Sequence, residues 1–375
     1  VNVHPEIAFY APLKAPDHPV PSGDRTMARL WFKALEQSGF APCQQGGLRS
    51  YDGSGDETRQ KAIRQAALAE AETLIAYHLS RKSADRPKLW FTYHVYYKAP
   101  DWIGPVVADA LSIPYVIAEG SRAPKRAGGP WAIGHEGAEQ ALDRADLILA
   151  MTETDEETLM RFRPGNQRIV KFPPFIDLGE WPDIAGTRQT HAPPRFLAVA
   201  MMRQGDKLES FRQLAEALHL IAPPWQIDIV GDGATRGEIE RLFAPFGQAV
   251  TMHGEITERF RLAELYQQAD LLLWPAVNEA YGMIFLEAQA FGCPVVAGNQ
   301  GGVASVVMHG ETGFLVTKND PRIFADTVTK LLADGDMHNR FSQQARLFIK
   351  QRRSLSSAIK QLAPLMESTL QGNGT

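Results

Sequence analysis

Cysteine is nearly absent from this sequence. Only Cys43 and Cys293 occur among 375 residues, and they lie far apart. That excludes a disulfide framework and any cysteine-based metal site of ordinary spacing. Both are expected to be reduced core thiols, and so low a count fits a cytoplasmic compartment. Long apolar runs are missing too. No stretch reaches the roughly 18 to 20 apolar residues that a membrane-crossing helix needs. The N-terminus lacks a basic stretch followed by an apolar run, so no signal peptide is expected, and Val1 is not expected to be the translation start. Nor is there an excess of positive charge: the formal net charge is −4. This gives no electrostatic reason to expect a nucleic-acid partner, and it leaves room for a peripheral membrane contact through a local patch.

What is present is the composition of a folded globular chain, with 44% hydrophobic and 22% charged residues. The length exceeds one ordinary core, so two domains are expected. Short apolar runs alternate with amphipathic stretches. Ile7–Tyr10, Leu89–Tyr93, Tyr115–Ala118, Leu147–Met151 and Ile169–Phe172 read as strands, with helices at Met27–Leu35, Asp56–Arg81 and Asp101–Leu111. Asp177 to Pro194 is rich in proline and glycine and reads as a linker. The alternation then restarts with strands at Phe196–Ala200, Gln226–Val230, Ala249–His253, Leu271–Trp274 and Pro294–Ala297. Such alternation predicts an α/β protein with parallel sheets covered on both faces. The expected division is residues 1–178, a linker at 179–194, a second domain at 195–340, and a C-terminal helix and tail at 341–375 that cross back to the first. Gln371 to Thr375 reads as a disordered tail. Two Rossmann-like domains predict a cleft lined by the carboxyl ends of the strands.

Four features fall at strand ends of the second half. Arg203 and Lys207 stand in a loop that opens onto a helix. Two cations with helix-end amides make an anion site, although a solvated loop would look the same. Gly231 and Gly233 follow a strand and permit either close approach to a ligand or a tight turn. With Gly237 they miss the dinucleotide fingerprint, and no acidic residue follows at the ribose spacing. Next, a strand ends at Gly254, where the backbone up to Ile256 can face a flat base. His253 beside it reads as a packed strand residue. Last, the strand ending at Trp274 leads to Glu279, a turn at Gly282, and a helix from Met283 that carries Glu287 one turn in. Amides near Tyr281, Gly282 and Met283 lie between the two carboxylates. A diphosphate on those amides, with a hydroxylated ring at each side, suits a nucleotide sugar.

These residues resemble a known family. Two glutamates separated by seven residues, an upstream Arg and Lys, and a Gly-Asp-Gly turn are similar to the retaining GT-B glycosyltransferases of the large family 4 class. The run from Glu279 to Ala297 follows that family's donor-site signature over nearly its whole length, and Gly313 to Val316 resembles its next strand. The likeness covers residues 195–335 well and is patchy before them. Pro174 to Asp177 occupies the place of the family's Asn-Gly-Val-Asp.

The resemblance implies a GT-B fold, two Rossmann-like domains facing across a cleft, and transfer of a sugar from a UDP-, GDP- or ADP-sugar with retention at the anomeric carbon. Arg203 and Lys207 would bind the diphosphate and Glu287 the ribose. Glu279 with the following amides would hold the donor sugar. Gly231 belongs to the donor side, backbone at Gly254 and Ile256 would read the base, and Gly23 would approach the diphosphate from the other domain. Glu279, Arg203 and Lys207 are the expected catalytic set. No separate cofactor and no metal are expected, since no Asp-x-Asp element stands where a metal-dependent transferase would use one. The sequence departs from the family at three places. One glycine, Gly23, replaces a pair, Glu119 stands where many members carry a histidine, and Ser305 replaces a usual glutamate.

The acceptor is expected on the first domain. His94, Tyr97 and Lys98 follow one strand, and Glu119, Arg122, Lys125 and Arg126 follow the next. Three cations so close point to an anionic acceptor, against the alternative of a solvated loop. Small-molecule, glycan and lipid-linked acceptors all remain open. Two further readings stand beside the transferase: a non-catalytic nucleotide-sugar-binding protein of the same fold, and a dinucleotide-dependent oxidoreductase, against which the broken glycine fingerprint argues.

Overall fold

The structure is a computed structural model and describes residues 4–165, 167–183, 191–317 and 320–372. The chain divides into two compact units. One comprises Val1–Pro173 with Ala358–Thr375, the other Pro174–Ser357.

The first unit holds strands β1 (Glu6–Tyr10), β2 (Ala41–Gln44), β3 (Leu89–Val95), β4 (Tyr115–Gly120), β5 (Leu147–Ala150) and β6 (Arg168–Lys171). Its helices are α1 (Gly23–Gln37), α2 (Glu57–Ser80), α3 (Gly104–Leu111), α4 (Ala132–Arg144) and α5 (Glu153–Phe162). All strand pairings are parallel, in the order β2-β1-β3-β4-β5-β6. The central strands are buried almost throughout, which is why they read as unbroken apolar runs. Helix α1 buries Met27, Leu30, Trp31, Ala34 and Leu35 at helical spacing, and the Ser22 hydroxyl caps it by accepting from the Arg25 amide at 3.2 Å. Strand β2 was not foreseen. It is an edge strand, largely exposed and containing Pro42, so it lacks the apolar signal. The same position corrects the reading of Cys43, which is exposed there, whereas Cys293 is buried as expected.

The second unit holds β7 (Arg195–Val199), β8 (Gln226–Val230), β9 (Val250–Gly254), β10 (Leu271–Trp274), β11 (Val295–Gly298) and β12 (Gly313–Val316). Its helices are α6 (Asp206–Leu220), α7 (Arg236–Phe243), α8 (Arg259–Gln268), α9 (Met283–Ala290), α10 (Pro321–Ala333) and α11 (Gly335–Phe348). Its sheet is again parallel, but in the order β12-β11-β10-β7-β8-β9. Counted within the unit this is 6-5-4-1-2-3, the strand order of the dinucleotide-binding fold. Two doubly wound units of this kind make the protein α/β, as the alternation predicted.

Strand order fixes where ligands belong. In open parallel sheets they settle beyond the carboxyl ends of the strands, where neighbouring connections diverge to opposite faces. In the first unit that point lies between β1 and β3. In the second it lies between β7 and β10.

A last helix, α12 (Leu355–Gln371), starts in the second unit, and its residues from Ala358 onward belong to the first. Leu362 and Met366 are fully buried, and the Arg168 guanidinium donates to the Ser368 hydroxyl at 3.1 Å. Gln371 therefore closes a helix, and the rest of the expected tail beyond Gly372 lies outside the described residues. So does 184–190 of the expected linker, which opens on a short turn at Leu178–Glu180 capped by Asp177. Among the described residues no helix is long and apolar enough to cross a membrane.

Candidate functional site

At the divergence point of the second unit, the loop after β7 faces the loop after β10. Lys207, in the first turn of α6, donates to the Glu279 carboxylate, which also accepts from the Trp274 indole at 3.2 Å. The Lys207 ammonium lies 5.5 Å from the centre of the Trp274 ring, a residue with no exposed surface. The same two loops meet again one residue earlier in each. Asn278 donates its amide to Asp206 at 3.0 Å, and the Val277 amide donates to the Ser210 hydroxyl at 3.0 Å. Arg203 is exposed and makes no ion pair among the described residues.

Both helices at this point begin on glycine. Gly205 precedes α6 and Gly282 precedes α9, and neither helix has a side-chain cap. The Leu208 and Phe285 amides are taken by the Arg203 and Gly282 carbonyls, and first-turn amides that no side chain caps are suited to an anion. Gly282 has φ +78°, and an added Cβ would lie 2.7 Å from the Phe285 ring, so only glycine fits that turn. Tyr281 beside it is buried and Met283 half-buried. Glycines at and after the end of β11 seat the loop: a Cβ on Gly298 would lie 1.8 Å from the Pro275 carbonyl oxygen, and one on Gly301 2.0 Å from that of Glu279.

Glu287 takes a different partner from Glu279. It accepts from the Tyr266 hydroxyl of α8 at 2.7 Å. Burial raises its carboxyl above the usual range, against the Tyr266 bond and the Arg259 charge. The two carboxylates thus come from the loop before α9 and from its second turn, each held by its own donor. Gly231 and Gly233 are accounted for by the protein's own backbone. Cβ atoms there would lie 1.9 Å from the Ala200 and 2.3 Å from the Met202 carbonyl oxygens, where the loops after β7 and β8 cross. The Gly254 carbonyl accepts from the Gly231 amide at 2.8 Å, and Ile256, two residues on, is half-exposed. His253 is half-buried and bonded to Asp228 at 2.6 Å, in keeping with a packed strand residue.

In the first unit the divergence point collects His94, Asp24 and Glu119. His94 Nδ1 lies 3.2 Å from the Asp24 carboxylate and 3.7 Å from that of Glu119. Burial disfavours the imidazolium, but Glu119 and Asp24 outweigh it and raise His94 to about 9. Burial also raises Glu119, with His94 opposing. Burial works to raise Asp24, but its close approach to His94 and that group's charge overcome it, and Asp24 ends below its ordinary value. Gly23, next to Asp24, is exposed with nothing within 4 Å of where a Cβ would stand.

Backbone strain marks the same two places. Five non-glycine residues among those described have left-handed backbone: His94, Ser112, Glu119, Ala276 and Asn278. Ser112 merely ends α3, an ordinary use of that conformation. The other four lie at the two divergence points, where strain is commonly retained for function.

Residues 191–348 match the model of the family described as glycosyl transferases group 1. The second half of the chain thus carries a group 1 glycosyltransferase domain. A D-inositol 3-phosphate glycosyltransferase of Xylanimonas cellulosilytica is 29% identical over 290 residues, covering 71% of this chain and 69% of that one. A second, from Corynebacterium efficiens, is 44% identical over 84 residues, which are 22% of this chain and 20% of that one. Among solved structures, sucrose-phosphate synthase from Thermosynechococcus elongatus superposes with a TM-score of 0.73 at 18% identity, covering 98% of this chain and all of that one. Anabaena HepE in complex with UDP-glucose gives 0.69 at 15%, covering 97% of this chain and 100% of that one. At such identity these two speak for the GT-B fold alone.

The structure brings Lys207 to Glu279 and His94 to Glu119. It does not bring Arg122 to any open surface. That side chain is buried and paired with Glu139 and with Asp143 at 2.6 Å, so its charge is neutralised inside the unit. The spacing of Glu139 and Asp143, four apart on α4, was the overlooked signal. Tyr97 and Lys98 are half-buried beside Trp131, and Arg126 is exposed. Asp24, Trp274 and Tyr266 were missed. Asp24 and Tyr266 act across element pairings that the sequence does not display, whereas Trp274 reaches Glu279 only five residues on. Ser305 is buried, and its carbonyl accepts from Arg353 at 3.1 Å.

Proposed function

We propose that the enzyme transfers a sugar from a nucleoside-diphosphate sugar with retention at the anomeric carbon and without a metal ion. The observation that carries this reading is the pair of helix starts without a side-chain cap, α6 and α9, joined by the Lys207–Glu279 bond, with Arg203 exposed in the loop before α6. Departing diphosphate carries the charge that must be stabilised. Fixed amides and cations do this best where they are already in place, with no reorganisation at the moment of reaction. Lys207 and Arg203 take that role, Glu279 and the amides of Tyr281 to Met283 hold the sugar and its phosphate, and Glu287, oriented by Tyr266, takes the ribose. The backbone at Gly254 to Ile256 takes the base. UDP-, GDP- and ADP-sugars are all compatible, and UDP is the first to test because HepE is described in complex with UDP-glucose. The acceptor is a small molecule, a glycan or a lipid-linked sugar, taken by the first unit, and the reaction belongs to the cytoplasm.

The test is a thermal-shift series with UDP, GDP, ADP and their sugars, followed by the anomeric configuration of the product. A ligand at 100 times its Kd stabilises the folded state by about 2.7 kcal/mol, a readily measured shift. One nucleotide is expected to raise the melting temperature, EDTA is expected to leave turnover intact, and the product is expected to keep the donor's configuration. An inverted product, or activity that vanishes with EDTA and returns with Mn²⁺, overturns the mechanism.

A further inference from the structure

Two cations of the first unit lie against the same pair of rings. Tyr97 and Trp131 meet edge to face, with centroids 5.8 Å apart. The Lys98 ammonium is 5.7 Å from the Tyr97 centroid and 5.2 Å from that of Trp131. The Arg126 guanidinium is 5.2 Å from each. Neither cation has a carboxylate partner among the described residues. The rings attract each cation, while the two like charges repel one another, and an anion joining them would relieve that repulsion.

The backbone under these side chains is fixed with unusual thoroughness. Asp52, almost fully buried, accepts from the amides of Ser54, Gly55 and Asp56, from the Ser54 hydroxyl and from Gln60. Its own amide donates to the Lys98 carbonyl at 2.8 Å, and its carbonyl accepts from the Trp131 indole at 3.2 Å. Gln60, also buried, donates to the Pro130 carbonyl and accepts from the Gly134 amide at 2.9 Å. A Cβ on Gly134 would lie 2.2 Å from the Tyr97 carbonyl oxygen. Arg122 ties the start of the same loop to α4. Buried polar groups are thus spent on holding four side chains that reach the surface, as expected of a pre-organised site.

We propose that Tyr97, Lys98, Arg126 and Trp131 form a subsite for an acidic saccharide, the rings receiving the apolar face of a sugar and the two cations its phosphate or carboxylate group. That the saccharide is the acceptor rests on the transfer reaction proposed above. That the subsite binds acidic sugars does not.

The experiment is ligand-detected NMR on the full chain without donor, using glucose 6-phosphate, glucuronic acid and glucose as probes. Glucose 6-phosphate is expected to bind saturably and more weakly at higher salt. Its affinity is expected to fall roughly 10-fold or more in Lys98→Gln and in Arg126→Gln, since each removes a charge-assisted contact. Glucuronic acid competing with it extends the subsite to carboxylates, and failure to compete restricts it to phosphate. UDP-induced stabilisation, measured in parallel, is expected to be unchanged in both variants and confirms that they fold. Equal binding of glucose and glucose 6-phosphate, or wild-type affinity in both variants, overturns the proposal. Absence of any nucleotide response in the wild type, with glucose 6-phosphate still bound, would instead count against the transfer reaction and leave the subsite standing.

Discussion

Arg203 and Lys207 are both cations of the same loop, yet their surroundings predict different consequences of removing them. Arg203 is exposed and has no ion pair among the described residues, so Arg203→Ala is expected to leave the melting temperature unchanged while lowering turnover on the order of 100-fold, the usual cost of losing one pre-arranged charged donor. Lys207 neutralises a carboxylate that is mostly buried. Lys207→Ala should therefore lower turnover and also cost about 1–2 kcal/mol of stability in urea unfolding, less than for a fully buried pair. Wild-type turnover in the arginine variant would remove it from the site. His94 gives a third prediction. Its folded value of about 9 lies above its ordinary 6.5, so the stabilisation is complete below pH 6.5 and is lost as pH rises toward 9. Asn tolerates left-handed backbone and cannot carry the proton. His94→Asn is thus expected to flatten the decline in melting temperature between pH 6.5 and 9, and an unaltered decline would place its cause elsewhere. Such residues show where sequence reading stops. Glu279 and Glu287 were legible because helix spacing and a glycine turn place them locally. The His94–Asp24 contact was not, because it exists only once β1 lies beside β3.

At the scale of elements, glycines divide into those the fold requires and those it does not. Gly231 has φ +141° and would thrust a Cβ to within 1.9 Å of the Ala200 carbonyl oxygen. Gly231→Ala should separate the loops after β7 and β8 and cost about 2–4 kcal/mol, in the range of backbone strain and steric overlap. Gly237, in α7, has nothing within 4 Å, and Gly237→Ala should be neutral or stabilising by up to about 1 kcal/mol. Chemical denaturation of the two variants checks both signs. The alternation of elements was legible throughout, since strands buried on both faces announce themselves. Strand β2 was not, because an exposed edge strand has no apolar period. Nor was the order of the strands, on which the location of both sites depends. Arg122 was misread because arginine is usually exposed, whereas here two carboxylates of α4 draw it inward.

At the scale of the molecule, two doubly wound sheets were expected and found, and the donor-site signature fell at the divergence point of the second. Their strand orders differ, which no local pattern reveals. The contribution of α12 to the first unit is open to test. Leu362 is fully buried on it, and Leu362→Ala should cost about 2–5 kcal/mol. Because the two units need not unfold together, the loss should appear in one calorimetric transition rather than in both. The residues from Ala358 onward complete a body whose other parts all precede Pro174. During synthesis, then, the half that leaves the ribosome first is the half that must wait. Its hydrophobic seat for Leu362 and Met366 stays unfilled while the whole second half is being made. A growing chain that has not yet reached Leu362 therefore carries, in its first half, an apolar seat that only its own later residues can cover.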